Sequence, residues 1–200
     1  MILWLGCGAE AAAIGLSSIL IYVLIYTPMK PLTPWCTLVG AVPGALPPMI
    51  GWSAAMHGAE LPLATNLFGG LSLFLLMLVW QMPHFWAIAW MYRDDYAAGG
   101  FKVLPVVDPD GSRTARSMRF WSLLLLPVSL LPWWAMPELI GPVYVVAAIA
   151  IGVLFARLCL QLAEDRSRDR ARRVFFLSII QLPLLLIALV ADAFATVLLR

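Results

Sequence analysis

The chain has 200 residues, of which 62% are hydrophobic and only 12% charged, with a formal net charge of +2. That composition lies outside the range of soluble globular domains, leaves no room for a soluble domain beside the membrane segments, and carries too little positive charge for nucleic-acid binding. Crossing a hydrocarbon core of roughly 30 Å takes about 20 apolar residues, so a chain of this length holds about six spans in one all-α polytopic membrane bundle, a single domain over 1–200.

Met1 opens directly into an apolar run with no basic region and no small-residue cleavage site, which argues against a secretory leader. The first predicted span, 2–26, has Glu10 as its only charge, and a glutamate so near a terminus reads as interfacial, with a weak claim to function. Loop 27–34 carries Pro28, Pro31 and Pro34, which end the helix, and one cation, Lys30. The second span, 35–56, contains Gly40, Pro43, Gly44, Pro47, Pro48 and Gly51. Prolines free backbone carbonyls that lipid cannot satisfy, so this segment is expected to face neighbouring helices or a cavity.

The third span, 66–92, holds Gln81, Pro83 and His84 in its middle, and Pro83 should disturb the helix near His84. Loop 93–119 is the longest polar segment: Arg93, Lys102, Arg113, Arg116 and Arg119 share it with Asp94, Asp95, Asp108 and Asp110, and Asp108-Pro109-Asp110-Gly111 is a turn signal. Spans four, five and six are expected over 120–135, 143–162 and 174–198, with an arginine-rich loop at 164–173. Basic loops follow spans one, three and five, whereas the loops after two and four carry only Glu60 and Glu138 as charges. By the positive-inside rule, Lys30, the Arg93 loop and the arginine-rich loop share the cytoplasmic side. Cys7, Cys36 and Cys159 lack metal-ligand spacing and read as inert thiols.

Four groups of residues are candidates for chemistry. Asp94 and Asp95, beside Arg93 and Tyr96 at the water interface, offer hard oxygen ligands suited to a magnesium ion bridging to a diphosphate. Arg93 and Lys102 can add charge-assisted contacts to the same phosphates, while a solvated helix end is the plainer alternative. Adjacent carboxylates point about 100° apart on a helix, so both reach one metal only if the backbone turns between them. His84 needs a partner or a role in lipid: a haem iron, a proton relay, or a bond to a neighbouring helix, with Gln81 one turn earlier open to the same readings. Lys30 reads either as a ligand for an anionic headgroup or as an interfacial anchor. Trp80, Trp86, Trp90 and Tyr92 read as cavity wall or as interfacial belt.

In their order, the runs Tyr26-Thr27-Pro28-Met29-Lys30, Gly40 to Trp52 (GAVPGALPPMIGW), Trp80-Gln81-Met82-Pro83-His84-Phe85 and Arg93-Asp94-Asp95-Tyr96-Ala97-Ala98-Gly99 resemble the haem O synthases, the protohaem IX farnesyltransferases of the UbiA superfamily of membrane prenyltransferases. The likeness continues through Val103-Leu104-Pro105-Val106-Val107 and fades in the last spans. It implies transfer of a farnesyl group from farnesyl diphosphate to the vinyl group of haem B: the diphosphate leaves, an allylic cation develops, the vinyl carbon attacks it, and water completes the hydroxyethyl group. The product, haem O, serves terminal oxidases directly or as the precursor of haem A, so haem A synthase and oxidase assembly are implied partners beside the bilayer of a bacterial inner membrane.

In that scheme Asp94 and Asp95 belong to the second acidic motif and hold Mg²⁺, Lys30, Arg93 and Lys102 neutralise the diphosphate, Tyr26 and Tyr96 help to position substrate, and Gln81 and His84 contact the haem. The family's pattern has about nine spans and a first acidic motif, Asn-x-x-x-Asp-x-x-x-Asp, that has no counterpart here, so the domain is expected to be incomplete at its N-terminal side and a poor catalyst alone. Phe101-Lys102 also stands where Ile-Pro is usual. A prenyltransferase acting on a quinone precursor or chlorophyllide, and a non-catalytic haem-binding or assembly remnant, are the competing readings.

Overall fold

The structure, a computed structural model, describes residues 2–57 and 63–198. It is built from helices: α1 (Ile2–Met29), α2 (Cys36–Met56), α3 (Leu63–Met91), α4 (Arg93–Ala98), α5 (Ser112–Val128), α6 (Leu131–Ala135), α7 (Pro142–Asp165) and α8 (Arg168–Leu198). Five of them, α1, α2, α3, α7 and α8, are long and apolar enough to cross a membrane. The predicted fourth span differs. Its helix begins eight residues early, at Ser112, carries Arg113, Arg116 and Arg119 in its first half, and breaks after Val128 before resuming as α6. Pro127 and Pro132 remove donors on either side of that break, while the Tyr144 hydroxyl donates to the carbonyl of Ser129 at 2.7 Å and satisfies it. The path still traverses the bundle, because Trp134 of α6 meets Phe68 near the start of α3, 6.2 Å between ring centroids.

α3 is the hub, packing against α2, α5, α6 and α8, with α1 outside α2 and α7 behind α5 and α8. Its buried face, Leu76, Val79, Met82, Trp86 and Ala87, joins Leu125, Phe155, Cys159 and Val174 in one core. A second core around Tyr144, Ile140 and Leu185 fills the opposite end. There the start of α7 is capped from α8: the Asp192 carboxylate, only 5% exposed, accepts the Tyr144 N–H at 2.9 Å. Three prolines inside α2 are tolerated in the manner expected of an inward-facing segment. Pro47 deprives the Pro43 carbonyl of its helical donor, and the Ser18 hydroxyl of α1 donates to that carbonyl at 3.1 Å. α3 stays helical through Pro83.

The basic loops gather at one end. Lys102 N–H donates to the Lys30 carbonyl at 2.9 Å, joining the loop after α4 to the end of α1, and Trp90 Nε1 donates to the Arg166 carbonyl at 2.7 Å, joining the end of α3 to that of α7. The 108–111 turn forms as its sequence predicts, Gly111 N–H to Asp108 O at 3.1 Å with Gly111 at φ +69°. A side chain on Gly111 would collide with the Trp90 ring, so this turn seats against the end of α3 only as glycine. Glu10 lies at the other end, its carboxylate accepting the Ser53 hydroxyl at 3.4 Å, far from the basic loops. The Glu60 reading falls outside the described residues.

Candidate functional site

At the basic end a cavity of about 610 Å³ opens between α1, α2, α3 and the segment following α3. That volume is ample for a drug-sized organic ligand. Three of the predicted site residues line it, Tyr26, Lys30 and Tyr96, together with Tyr22, Phe85 and Phe101 among others.

The wall from α1 depends on a widened turn. Residues 21–26 form a π-helical segment, the Thr27 N–H donating to the Tyr22 carbonyl, just before Pro28, whose ring crowds the preceding turn. The Thr27 hydroxyl also donates to the Tyr22 carbonyl, at 2.9 Å. Through this segment Tyr22 and Tyr26 come to lie 5.1 Å apart, and the Lys30 ammonium rests 4.6 Å from the Tyr26 ring centroid and 5.7 Å from that of Tyr22. Aromatic faces hold a cation without neutralising it, so Lys30 keeps its charge for an anion. Gly40 of α2 gives the Tyr26 ring its place: a Cβ there would lie 2.5 Å from a ring carbon.

Tyr96 enters from the opposite wall on α4, its ring edge against Phe101 at 6.0 Å. Burial, with a smaller effect from the neighbouring Cys36 thiol, raises the Tyr96 phenol above its ordinary pKa, so it remains a protonated donor at neutral pH. Cys36, expected to be an inert core thiol, is buried and also forms part of this cavity wall.

The other predicted residues divide into two groups. Arg93, Asp94, Asp95 and Lys102 stand at the same end but outside the lining. The Arg93 guanidinium lies 5.7 Å from the Trp90 ring centroid and donates to Pro109 O at 3.5 Å, and Asp94 and Asp95 are exposed in the first turn of α4. Since α4 runs as helix through both aspartates, the backbone turn that would let them share one metal is absent. With Tyr96 facing the cavity, Asp95 is set about 100° and Asp94 about 200° around the helix from it. Among the described residues no three His, Cys, Asp or Glu side chains group as a metal site.

Gln81 and His84 form the second group, held in helix contacts. Gln81 is buried and donates from Nε2 to the Ala41 carbonyl at 2.7 Å, in space that a side chain on Gly44 would occupy. His84 Nδ1 lies 2.7 Å from the Ser178 hydroxyl, with its ring stacked between Trp80 at 5.0 Å and Phe175 at 5.4 Å. The Ser178 hydroxyl donates to the Phe175 carbonyl at 2.6 Å, so its proton is committed and it accepts from His84 Nδ1–H.

Tyr22, Phe85, Phe101 and Gly40 were not among the residues that sequence assigned to the site. A signal existed for the first: Tyr22, Tyr26 and Lys30 recur every fourth residue, which places them on one helical face.

The comparisons with known proteins bear on the family and the fold. Over 188 residues the chain is 43% identical to a protoheme IX farnesyltransferase of Solibacter usitatus, an alignment covering 92% of this chain and 60% of the relative. It is 42% identical to the protein of that name from Salinibacter ruber, covering 86% and 58%, and 44% identical to that of Opitutus terrae, covering 91% and 59%. The chain thus spans about 60% of the length of these relatives. A solved structure concerned with digeranylgeranylglyceryl phosphate synthase superposes with a TM-score of 0.76 over 96% of this chain and 64% of the other, at 19% identity, and so shares the fold. The sequence model of the UbiA prenyltransferase family matches residues 1–180, and with a helical bundle of the same shape behind it, the chain belongs to that family.

Proposed function

We propose that this chain acts in the transfer of a farnesyl group from farnesyl diphosphate to a vinyl carbon of haem B, forming haem O, at the basic mouth of the 610 Å³ cavity. One observation carries the reading: Tyr26, Lys30 and Tyr96, drawn from distant parts of the sequence, converge on one cavity whose mouth is cationic and whose remaining wall is largely apolar and aromatic. The names of the relatives agree with haem as the acceptor and give no support to a quinone precursor or an assembly remnant.

In this reading the Lys30 ammonium and the neutral Tyr96 phenol meet the diphosphate. Both favour the charge that develops as the carbon–oxygen bond breaks, and neither needs to reorganise to do so. Phe85, Phe101 and Tyr22 line the path of the isoprenoid chain and keep water from it. Asp94 and Asp95 are the carboxylates at the mouth that would hold Mg²⁺, Asp95 being the nearer to the Tyr96 face; a bound magnesium neutralises diphosphate oxygens and makes them a better leaving group. Because the two aspartates diverge and no third acid joins them among the described residues, metal binding by this chain is weak without substrate and turnover by the isolated chain is low. His84, its ring fixed by Ser178, is assigned to the haem, as an iron ligand. The basic end faces the cytoplasm of a bacterial inner membrane.

The test is farnesyl diphosphate binding to the chain in nanodiscs, with and without Mg²⁺. Binding should tighten with the metal, and Asp95→Asn should weaken it about tenfold, more than Asp94→Asn does. Equal affinity in the presence and absence of Mg²⁺, unchanged by either substitution, would remove the diphosphate site and the reading with it.

A further inference from the structure

We propose that a second cavity, distinct from the one assigned to the diphosphate, seats the headgroup end of a single anionic phospholipid, its phosphodiester at Arg113 and its acyl chains running out into the bilayer. This cavity, of about 320 Å³, lies between the start of α2, the Met82–Trp86 face of α3 and the first half of α5. Arg113, Ser117 and Trp121 line it from α5, spaced four residues apart and therefore stacked on one face of the helix. Read inward from the basic end, that face changes from a cation to a hydroxyl to an indole. Leu38 and Trp86 continue the apolar depth, with Trp86 and Trp121 edge to face at 6.4 Å. The gradient matches a molecule with an anionic head and a hydrocarbon body lying along the helices.

Two further observations favour a singly charged anion at this position. Arg113 is exposed and has neither ion pair nor hydrogen bond to any described residue, unlike Arg93, Arg166 and Arg170, which are engaged with carbonyls or carboxamide and carboxylate oxygens. Among the described residues it is also the one cation in the lining, so the cavity matches the single charge of a phosphodiester, not a diphosphate. Lys30 faces the other cavity. Thr37 borders both, so the two stand on either side of the first turn of α2. Basic clefts between spanning helices at the headgroup level are suited to anionic lipids.

The experiment is native mass spectrometry of the full chain in a neutral detergent, titrated with dioleoyl phosphatidylglycerol, dioleoyl phosphatidylcholine or glycerol phosphate. One phosphatidylglycerol should be retained and phosphatidylcholine should not. Arg113→Gln should weaken retention about fivefold, as expected for one lost cation near anionic headgroups, and Trp121→Leu should weaken it as well. Arg172→Gln, an exposed arginine whose guanidinium lies over Phe176, should leave it unchanged. The inference falls if phosphatidylcholine is held as firmly, if Arg172→Gln costs as much as Arg113→Gln, or if glycerol phosphate competes as well as the lipid.

Discussion

Tyr96 illustrates how a single side chain acquires a role from its surroundings. A tyrosine after two aspartates reads in sequence as part of an interfacial cluster, and only the fold brings it into the cavity wall while the aspartates remain outside. Burial lifts its pKa, so the neutral phenol is the form that the folded protein prefers. The associated stability is complete below the ordinary tyrosine value of 10.0 and is lost as pH rises through the higher folded value. In an alkaline titration followed by phenolate absorbance, the difference between the wild-type chain and Tyr96→Phe should isolate one group ionising above pH 10. Titration of this group at or below 10 would show that the phenol is not enclosed as described. Lys30 teaches the complementary lesson. Its sequence context allowed anchor or ligand, and its seat on the two aromatic rings, which spacing indicated, is set by the π-helical turn.

Elements were legible where hydropathy alone decides them and less so where backbone chemistry intervenes. The spans α1, α2, α3, α7 and α8 follow from apolar length, and the turn at 108–111 follows from its residues. The fourth span was misplaced because its arginines were assigned to a loop. They belong to α5, where arginine stems can lie along the apolar surface and their heads reach water. The cap on α7 was invisible, since it pairs a carboxylate in the last span with a backbone N–H nearly fifty residues earlier. Asp192→Ala leaves the Tyr144 N–H without its acceptor in a buried setting and should destabilise the bundle by about 1–2 kcal/mol. Thermal unfolding in detergent would measure it, with Asp192→Asn recovering part of the loss. No change on Asp192→Ala would mean that the cap contributes nothing.

For the whole molecule, the alternation of basic and non-basic loops proved the most informative pattern. It placed Lys30, the Arg93 segment and the arginine-rich loop together, and the fold brings them to one end of the bundle through the Lys102–Lys30 and Trp90–Arg166 contacts. Sidedness can be measured directly. With Cys7 replaced by serine, single cysteines at Lys102 and Arg170 should react with a membrane-impermeant maleimide from the same side of sealed vesicles, and a cysteine at Glu138 from the other. Opposite labelling of positions 102 and 170 would dismantle the site. What sequence could not supply was the depth of the cavity, because that depends on Gly40 admitting the Tyr26 ring, a contact between two helices that no periodicity encodes.

The residue pair Phe101-Lys102, a minor departure from the usual Ile-Pro, has more weight in three dimensions than in the alignment of motifs. Proline has no amide proton to give, so a chain with proline at 102 would leave the Lys30 carbonyl to water. Here a main-chain bond crosses 72 positions of sequence to clamp the rim, and because it uses no side-chain atom, it is indifferent to what either lysine's ammonium is doing. The rim is therefore stiffened by a component that the Lys30 ammonium does not have to share, so in the proposed reading an anion and the scaffold never compete for the same group.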